Sequence, residues 1–153
     1  MRVTELMSKP AYTCNANDSA VVAAQIMWDR DCGVVPVVDD DGRICGVVTD
    51  RDLCMAALFK GKTLSEIPVS DAMSHEVFAC HPEDDVAKAE HLMGARQVHR
   101  LPVIDDHQSP VGMLSLSDVV RRLGHPGISR QEEGRDFVET MAAICQPRTV
   151  THH

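Results

Sequence analysis

The sequence predicts a mixed α/β (α+β) fold made of two copies of one small unit, a three-stranded sheet with two helices, related by a pseudo-twofold axis. Three observations predict it. First, the 153-residue chain repeats itself: shifted by 66, residues 3–54 fall on residues 69–120 without a gap, with fourteen identities in fifty-two pairs. Composition alone gives roughly three or four. Second, in each copy an apolar helical period precedes two β-branched runs. Third, a polar turn separates those runs, which is the pattern of a hairpin.

Each copy opens with a short extended segment, residues 12–14 and 78–80. A helix follows, opened by Asp18 or Asp84, whose carboxylates suit a helix start. Ala20, Ala23, Ala24 and Met27 then recur at i, i+3, i+4 and i+7, which makes one apolar face. Next come the runs Val34-Val35-Pro36-Val37-Val38 and Leu101-Pro102-Val103-Ile104, the turns at 39–43 and 105–109, and second strands at 44–49 and 111–115. Pro36 and Pro102 are expected near a strand start or an edge, where the missing N–H breaks no ladder bond. Helices at 50–59 and 116–123 close the copies. A sheet with helices on one side leaves an open face that the second copy can cover, so the pair is the expected folding unit. The expected divisions are residues 1–62, residues 63–124 and a tail at 125–153, with residues 60–67 as the linker. Gly124-His125-Pro126-Gly127 ends the second copy, and Phe137, Met141, Ile144 and Cys145 lie at helical spacing, so a C-terminal helix is expected to pack on this chain or on a partner. Thr151-His152-His153 reads as a loose end with no metal role.

Composition bounds the function. A formal charge of −8 and 3% aromatic residues oppose a nucleic-acid partner or an anionic membrane surface, because both need basic surface and the first favours stacking platforms. Neither a signal peptide nor a membrane span is expected, so the reading is cytoplasmic. Six scattered cysteines without a CxxC give no zinc spacing. Catalysis lacks a candidate constellation: Cys80-His81 are adjacent and diverge, Cys14 has no histidine after it, and His75, His81 and His91 lack ligand spacing. No catalytic residue, no metal and no enzyme activity are expected.

The proline-containing strands, and above all Gly46-Val47-Val48-Thr49-Asp50-Arg51-Asp52 and Gly112-Met113-Leu114-Ser115-Leu116-Ser117-Asp118, resemble the hallmark segments of cystathionine-β-synthase (CBS) domains, paired in tandem as a Bateman module. The resemblance covers residues 1 to about 123 and leaves the tail unexplained. His99-Arg100-Leu101-Pro102-Val103-Ile104-Asp105 also resembles nucleotide-sensing repeats of the regulatory subunit of AMP-activated protein kinase. What the resemblance implies is a regulatory module for an adenine nucleotide, AMP, ADP or ATP, with no cofactor required. It also implies a homodimer in the form of a flat four-domain disc, with a regulated protein as a further partner; Trp28 and Met55 are candidates for the dimer contact.

The motif residues suit that ligand. In Gly-x-x-Thr/Ser-x-x-Asp the glycine lets a ligand or another backbone come close. The hydroxyl of Thr49 or Ser115 stands beside unpaired helix N–H groups that favour phosphate. Asp52 or Asp118 follows one turn later and can accept from ribose hydroxyls. Family members that bind adenosine ligands use these positions so, and the resemblance carries those roles over. Capping of the two helices by the same residues is the alternative. The copies differ in cations: Arg51 faces Ser117 across the repeat, while His99 and Arg100 replace Gly33 and Val34. The resemblance assigns His99 and Arg100 to phosphate; pairing of Arg100 with Asp105 or Asp106 is the alternative. Adenine is expected among Thr13, Cys14, Ala79 and Cys80. Two other functions stay open, a structural dimerisation module with degenerate sites and a site for S-adenosylmethionine or NAD.

Overall fold

The computed structural model describes residues 1–123 and 133–147. The first copy contains β1 (Cys14–Asn15), α1 (Ala20–Asp29), β2 (Val34–Val38), β3 (Ile44–Thr49) and α2 (Asp50–Lys60). The second copy begins with a short helix, α3 (Val69–Ala72), and continues with α4 (Val86–Arg96), β4 (Arg100–Ile104), β5 (Pro110–Ser115) and α5 (Leu116–Leu123). The chain continues to α6 (Glu133–Ile144), so the expected tail helix forms. Residues 124–127 and 151–153 lie outside the described residues.

The first sheet has the order β1-β2-β3, with β1 parallel and β3 antiparallel to β2. In the second copy β4 and β5 pair, and the third strand shrinks to one parallel bridge from Cys80 to Val103. Even the irregularities repeat, since the register shifts between Val37 and Val38 and again between Val103 and Ile104. Both turns are closed by an aspartate: Asp39 Oδ1 accepts from Asp41 and Arg43 N–H groups, and Asp105 Oδ1 accepts from His107 and Ser109 N–H groups.

Two expectations need correction. Pro36 and Pro102 sit in the middle of their strands rather than at the start and are buried, although Pro102 lies on an edge as expected, since β4 belongs to a two-stranded sheet. Cys80 N–H donates to Pro102 O at 3.1 Å, so the proline nitrogen faces the same side, where the neighbouring segment is too short to need a donor from it. Asp18 and Asp84 do not open the helices. Their carboxylates accept from Asn15 and His81 N–H groups at 2.8 Å and close the preceding turn, while Ser19 and Asp85 hold the N-cap positions.

The two hydrophobic clusters do not follow chain order. One joins Cys14, Ala23, Met27, Val35, Val37, Val48 and Leu53 to Ile67, the last residue of the expected linker, and Val69, which follows it. The other joins Cys80, Ala89, Met93, Leu101, Val103, Leu114 and Val119 to Val3 from the start of the chain. Each fully buried aliphatic side chain contributes about 1.5–3 kcal/mol. The exchange is sealed by paired backbone bonds: Ser8 with Met113 (2.8 and 3.0 Å) and Ser74 with Val47 (2.8 and 3.0 Å). Here lies the reason for the motif glycines. A Cβ on Gly46 would stand 2.8 Å from Ser74 O, and one on Gly112 would stand 2.7 Å from Ser8 O. The close approach is that of another backbone.

Candidate functional site

Each motif spans the end of a strand and the first turn of the next helix. At the end of β3, Val34 pairs with Thr49, and Gly33 O accepts from Asp50 N–H at 3.1 Å. At the end of β5, Arg100 pairs with Ser115, and His99 O accepts from Leu116 N–H at 3.0 Å. The fold thus gathers Gly33, Val34, Thr49, Arg51 and Asp52 in one place and His99, Arg100, Ser115, Ser117 and Asp118 in the equivalent place. It also joins the two copies: Arg100 Nη1 lies 3.5 Å from the point where a Gly33 Cβ would stand, with Asp50 Oδ2 3.1 Å from that point. The guanidinium of the second copy therefore reaches the N-terminus of α2. Among the described residues Arg100 forms no ion pair, so its pairing with Asp105 or Asp106 is not realised.

Capping is realised in both copies. Thr49 N–H donates to Asp52 Oδ2 at 2.9 Å and Asp52 N–H donates back to Thr49 Oγ1 at 3.1 Å. Ser115 N–H donates to Asp118 Oδ2 at 2.8 Å, and Asp118 N–H donates to Ser115 Oγ at 3.3 Å. The second motif adds two bonds. Ser115 Oγ–H donates to Asp118 Oδ2 at 2.6 Å, and Arg121 Nη2 donates to Asp118 Oδ1. Asp52 is partly exposed, whereas Asp118 is only 3% exposed. The Asp118–Arg121 spacing of three along a helix is a signal the sequence carried.

The residues expected around adenine lie apart from the motif carboxylates. β1 meets β2 with Cys14 against Val37, and Cys80 meets Val103, both beyond the strand starts that adjoin the motifs. A cleft of about 440 Å3 beside α4 is lined by Ala79, Cys80, His81, Lys88, Leu92 and Arg96 among others, and neither Ser115 nor Asp118 lines it. Burial, followed by the charges of Asp18 and Asp84, pushes the thiols of Cys14 and Cys80 up to about 12. Neither is a nucleophile at neutral pH. A repeated arginine–aromatic stack also appears: Arg30 lies 3.9 Å from the centre of the Tyr12 ring and Arg96 lies 4.7 Å from that of Phe78. Its trace in the sequence is the repeat itself, which aligns Arg30 with Arg96 and the aromatic Tyr12 with Phe78.

Comparison with known proteins agrees with this architecture. The CBS domain family model matches residues 3–58 and 69–125. Inosine-5'-monophosphate dehydrogenase of Methanocaldococcus jannaschii is 30% identical over 146 residues, 95% of this chain but 28% of that enzyme. L-aspartate semialdehyde sulfurtransferase of the same organism is 30% identical over 80% of this chain and 23% of that protein. The chain thus spans less than a third of the length of either. YlbB of Bacillus subtilis, an uncharacterized protein, is 31% identical over 87% of this chain and 93% of its own length. Among solved structures, a CBS domain pair in complex with 5'-methylthioadenosine and S-adenosyl-L-methionine is 27% identical with a TM-score of 0.72, over 81% of this chain and all (100%) of that one. A CBS domain protein of unknown function from Thermoplasma acidophilum has a TM-score of 0.74 at 23% identity, over 94% of this chain and 75% of that one, and shares the fold. Among the described residues no helix is long and apolar enough to cross a membrane.

Proposed function

The chain belongs to the CBS domain family, and from that premise we propose that it is a cytoplasmic regulatory module that binds AMP, ADP or ATP and responds through packing. The response is a change in how its two copies, or two such chains, fit together. The single observation that carries the reading is the position of Arg100, whose Nη1 reaches the Gly33–Asp50 corner at the N-terminus of α2. A cation that forms no ion pair among the described residues, at a helix start with the Thr49 hydroxyl and the partly exposed Asp52, offers one place for phosphate and another for ribose. Because Arg100 and Thr49 come from different copies, a ligand touching both favours one relative packing, which is what a regulatory ligand requires. S-adenosylmethionine, which one structural relative binds, has no phosphate to use that guanidinium.

The module works without catalysis, and the regulated activity belongs to a partner protein. A homodimer is part of the proposal, formed through exposed apolar residues of α1 and α2, where Trp28 is 84%, Phe59 81% and Leu58 66% exposed. Calorimetry against AMP, ADP, ATP, NAD, S-adenosylmethionine and adenosine tests the ligand. The expected result is binding of a phosphorylated adenosine, weakened by Arg100→Ala about tenfold or more while adenosine is little affected. Equal loss for adenosine and AMP would remove phosphate from Arg100, and uptake of S-adenosylmethionine alone would replace the ligand class.

A further inference from the structure

The two motifs match residue for residue in backbone and capping geometry, yet their carboxylates are not equally available. Asp52 spends one oxygen, Oδ2, on the Thr49 N–H, and no side chain among the described residues bonds to its Oδ1. Asp118 accepts from the Ser115 N–H and hydroxyl at Oδ2 and from Arg121 at Oδ1, and is 3% exposed. Ser115 thereby commits its hydroxyl proton to Asp118, whereas the Thr49 hydroxyl makes no such bond. The ion pair traces to one position: Met55 stands in the first copy where Arg121 stands in the second. Phosphate recognition divides in the same direction. Arg100 reaches the first motif from across the axis, and its counterpart in the first copy is the uncharged Val34.

Resting on the nucleotide reading of these motifs, we infer that Arg121 closes the second site by locking Asp118, so that each chain takes up one nucleotide, held at Thr49 and Asp52. A ribose diol needs free carboxylate lone pairs and room for two hydroxyls, and Asp118, with three hydrogen bonds accepted and 3% exposure, keeps about one acceptor position and no room for the pair while the ion pair stands. Its charge is already compensated by three hydrogen bonds, so a neutral diol gains little by displacing the guanidinium. With Met55 at the corresponding position, Asp52 is partly exposed, and the same opening is expected of Asp118 once the arginine is gone.

The test counts nucleotides per chain by calorimetry with AMP and ATP. The wild type is expected to bind one, and Asp52→Ala should weaken that binding about 10- to 100-fold. Arg121→Met, at a side chain 72% exposed, should raise the count to two. The Arg121→Met, Asp52→Ala double variant should keep one, now at Asp118, and Arg121→Lys, which preserves the ion pair, should stay at one. Two equal sites in the wild type would overturn the lock and leave the nucleotide reading intact, as would a count of one in Arg121→Met that Asp52→Ala abolishes. A wild type that takes up no nucleotide would overturn the nucleotide reading, and the lock with it.

Discussion

The same helix occurs twice in this molecule, once bare and once covered. In the second copy α6 lies along α4, with Ile144 buried in the core and Phe137 and Met141 packed against it. Gln97 Nε2 bonds Ala143 O at 3.2 Å and Gln146 O at 3.1 Å, which closes the last turn of α6. In the first copy no helix among the described residues covers α1 in this way, and Trp28, Val21 and Val22 are exposed. The residue in α4 at the place of Trp28 is Gly94, where a Cβ would stand 3.6 Å from Ala143 Cβ and from Thr140 Cα. A glycine lets two helix axes come close, and an indole at the same point holds a neighbour off. One position in a duplicated unit thus separates a face that its own chain covers from a face that is open.

Exchanging the two residues gives the largest expected effect. Gly94→Trp should unseat α6 and forfeit the burial of Ile144 and its neighbours, about 3 kcal/mol, seen as a lower melting temperature and early proteolysis of the tail. A variant with unchanged melting would mean that α6 adds nothing to the second core. On the bare face, where the proposal puts the dimer contact, Trp28→Glu should convert the proposed dimer to monomer in light scattering, a loss of about 2 kcal/mol or more of association, with folding stability nearly unchanged. A wild type that is monomeric at all concentrations would remove the dimer from that face.

The exchanged segments should respond alike in the two copies. Gly46→Ala and Gly112→Ala each force a methyl against a carbonyl oxygen at under 3 Å, and each should cost about 1–3 kcal/mol in denaturant unfolding. Only one of them doing so would show that the two exchanges are held unequally. Cys14 and Cys80 sharpen the equivalence through pH. Their thiols titrate near 12 when folded, against 9.0 when unfolded. Their contribution is therefore complete below about pH 9 and is lost as pH rises towards about 12. By pH 10 each should have withdrawn about 1 kcal/mol, and alanine at either position should remove an equal share of the slope. The smallest effect belongs to the turns, where Gln108 has φ of +64° and its counterpart Gly42 has +77°. Gln108→Gly should stabilise by up to about 1 kcal/mol, because glycine adopts that conformation without strain. Destabilisation would mean that the Gln108 side chain contributes contacts outweighing its backbone strain.

The repeat, the order of helices and strands, both polar turns and the Gly-x-x-Thr/Ser-x-x-Asp frame were legible in the sequence because they depend on local period and turn chemistry. A tail helix was legible for the same reason, although Cys145, read with its apolar face, is exposed, and Thr140 is buried in its stead. Helical spacing identifies a stripe but leaves its centre uncertain by a residue. Capping by Thr49 and Asp52 was legible as an alternative, since it needs only residues three apart.

What the sequence by itself determined, then, is each unit and the residue types in each motif. Tertiary structure alone decided which segment completes which core, with Val3 serving the second and Val69 the first, because the exchange depends on contacts between residues far apart in the chain. It likewise decided that Arg100 serves the corner at Gly33, and that Gly46 and Gly112 make room for backbone. Periodicity describes what a segment needs buried. Which surface buries it is settled only when both copies have closed around their shared axis.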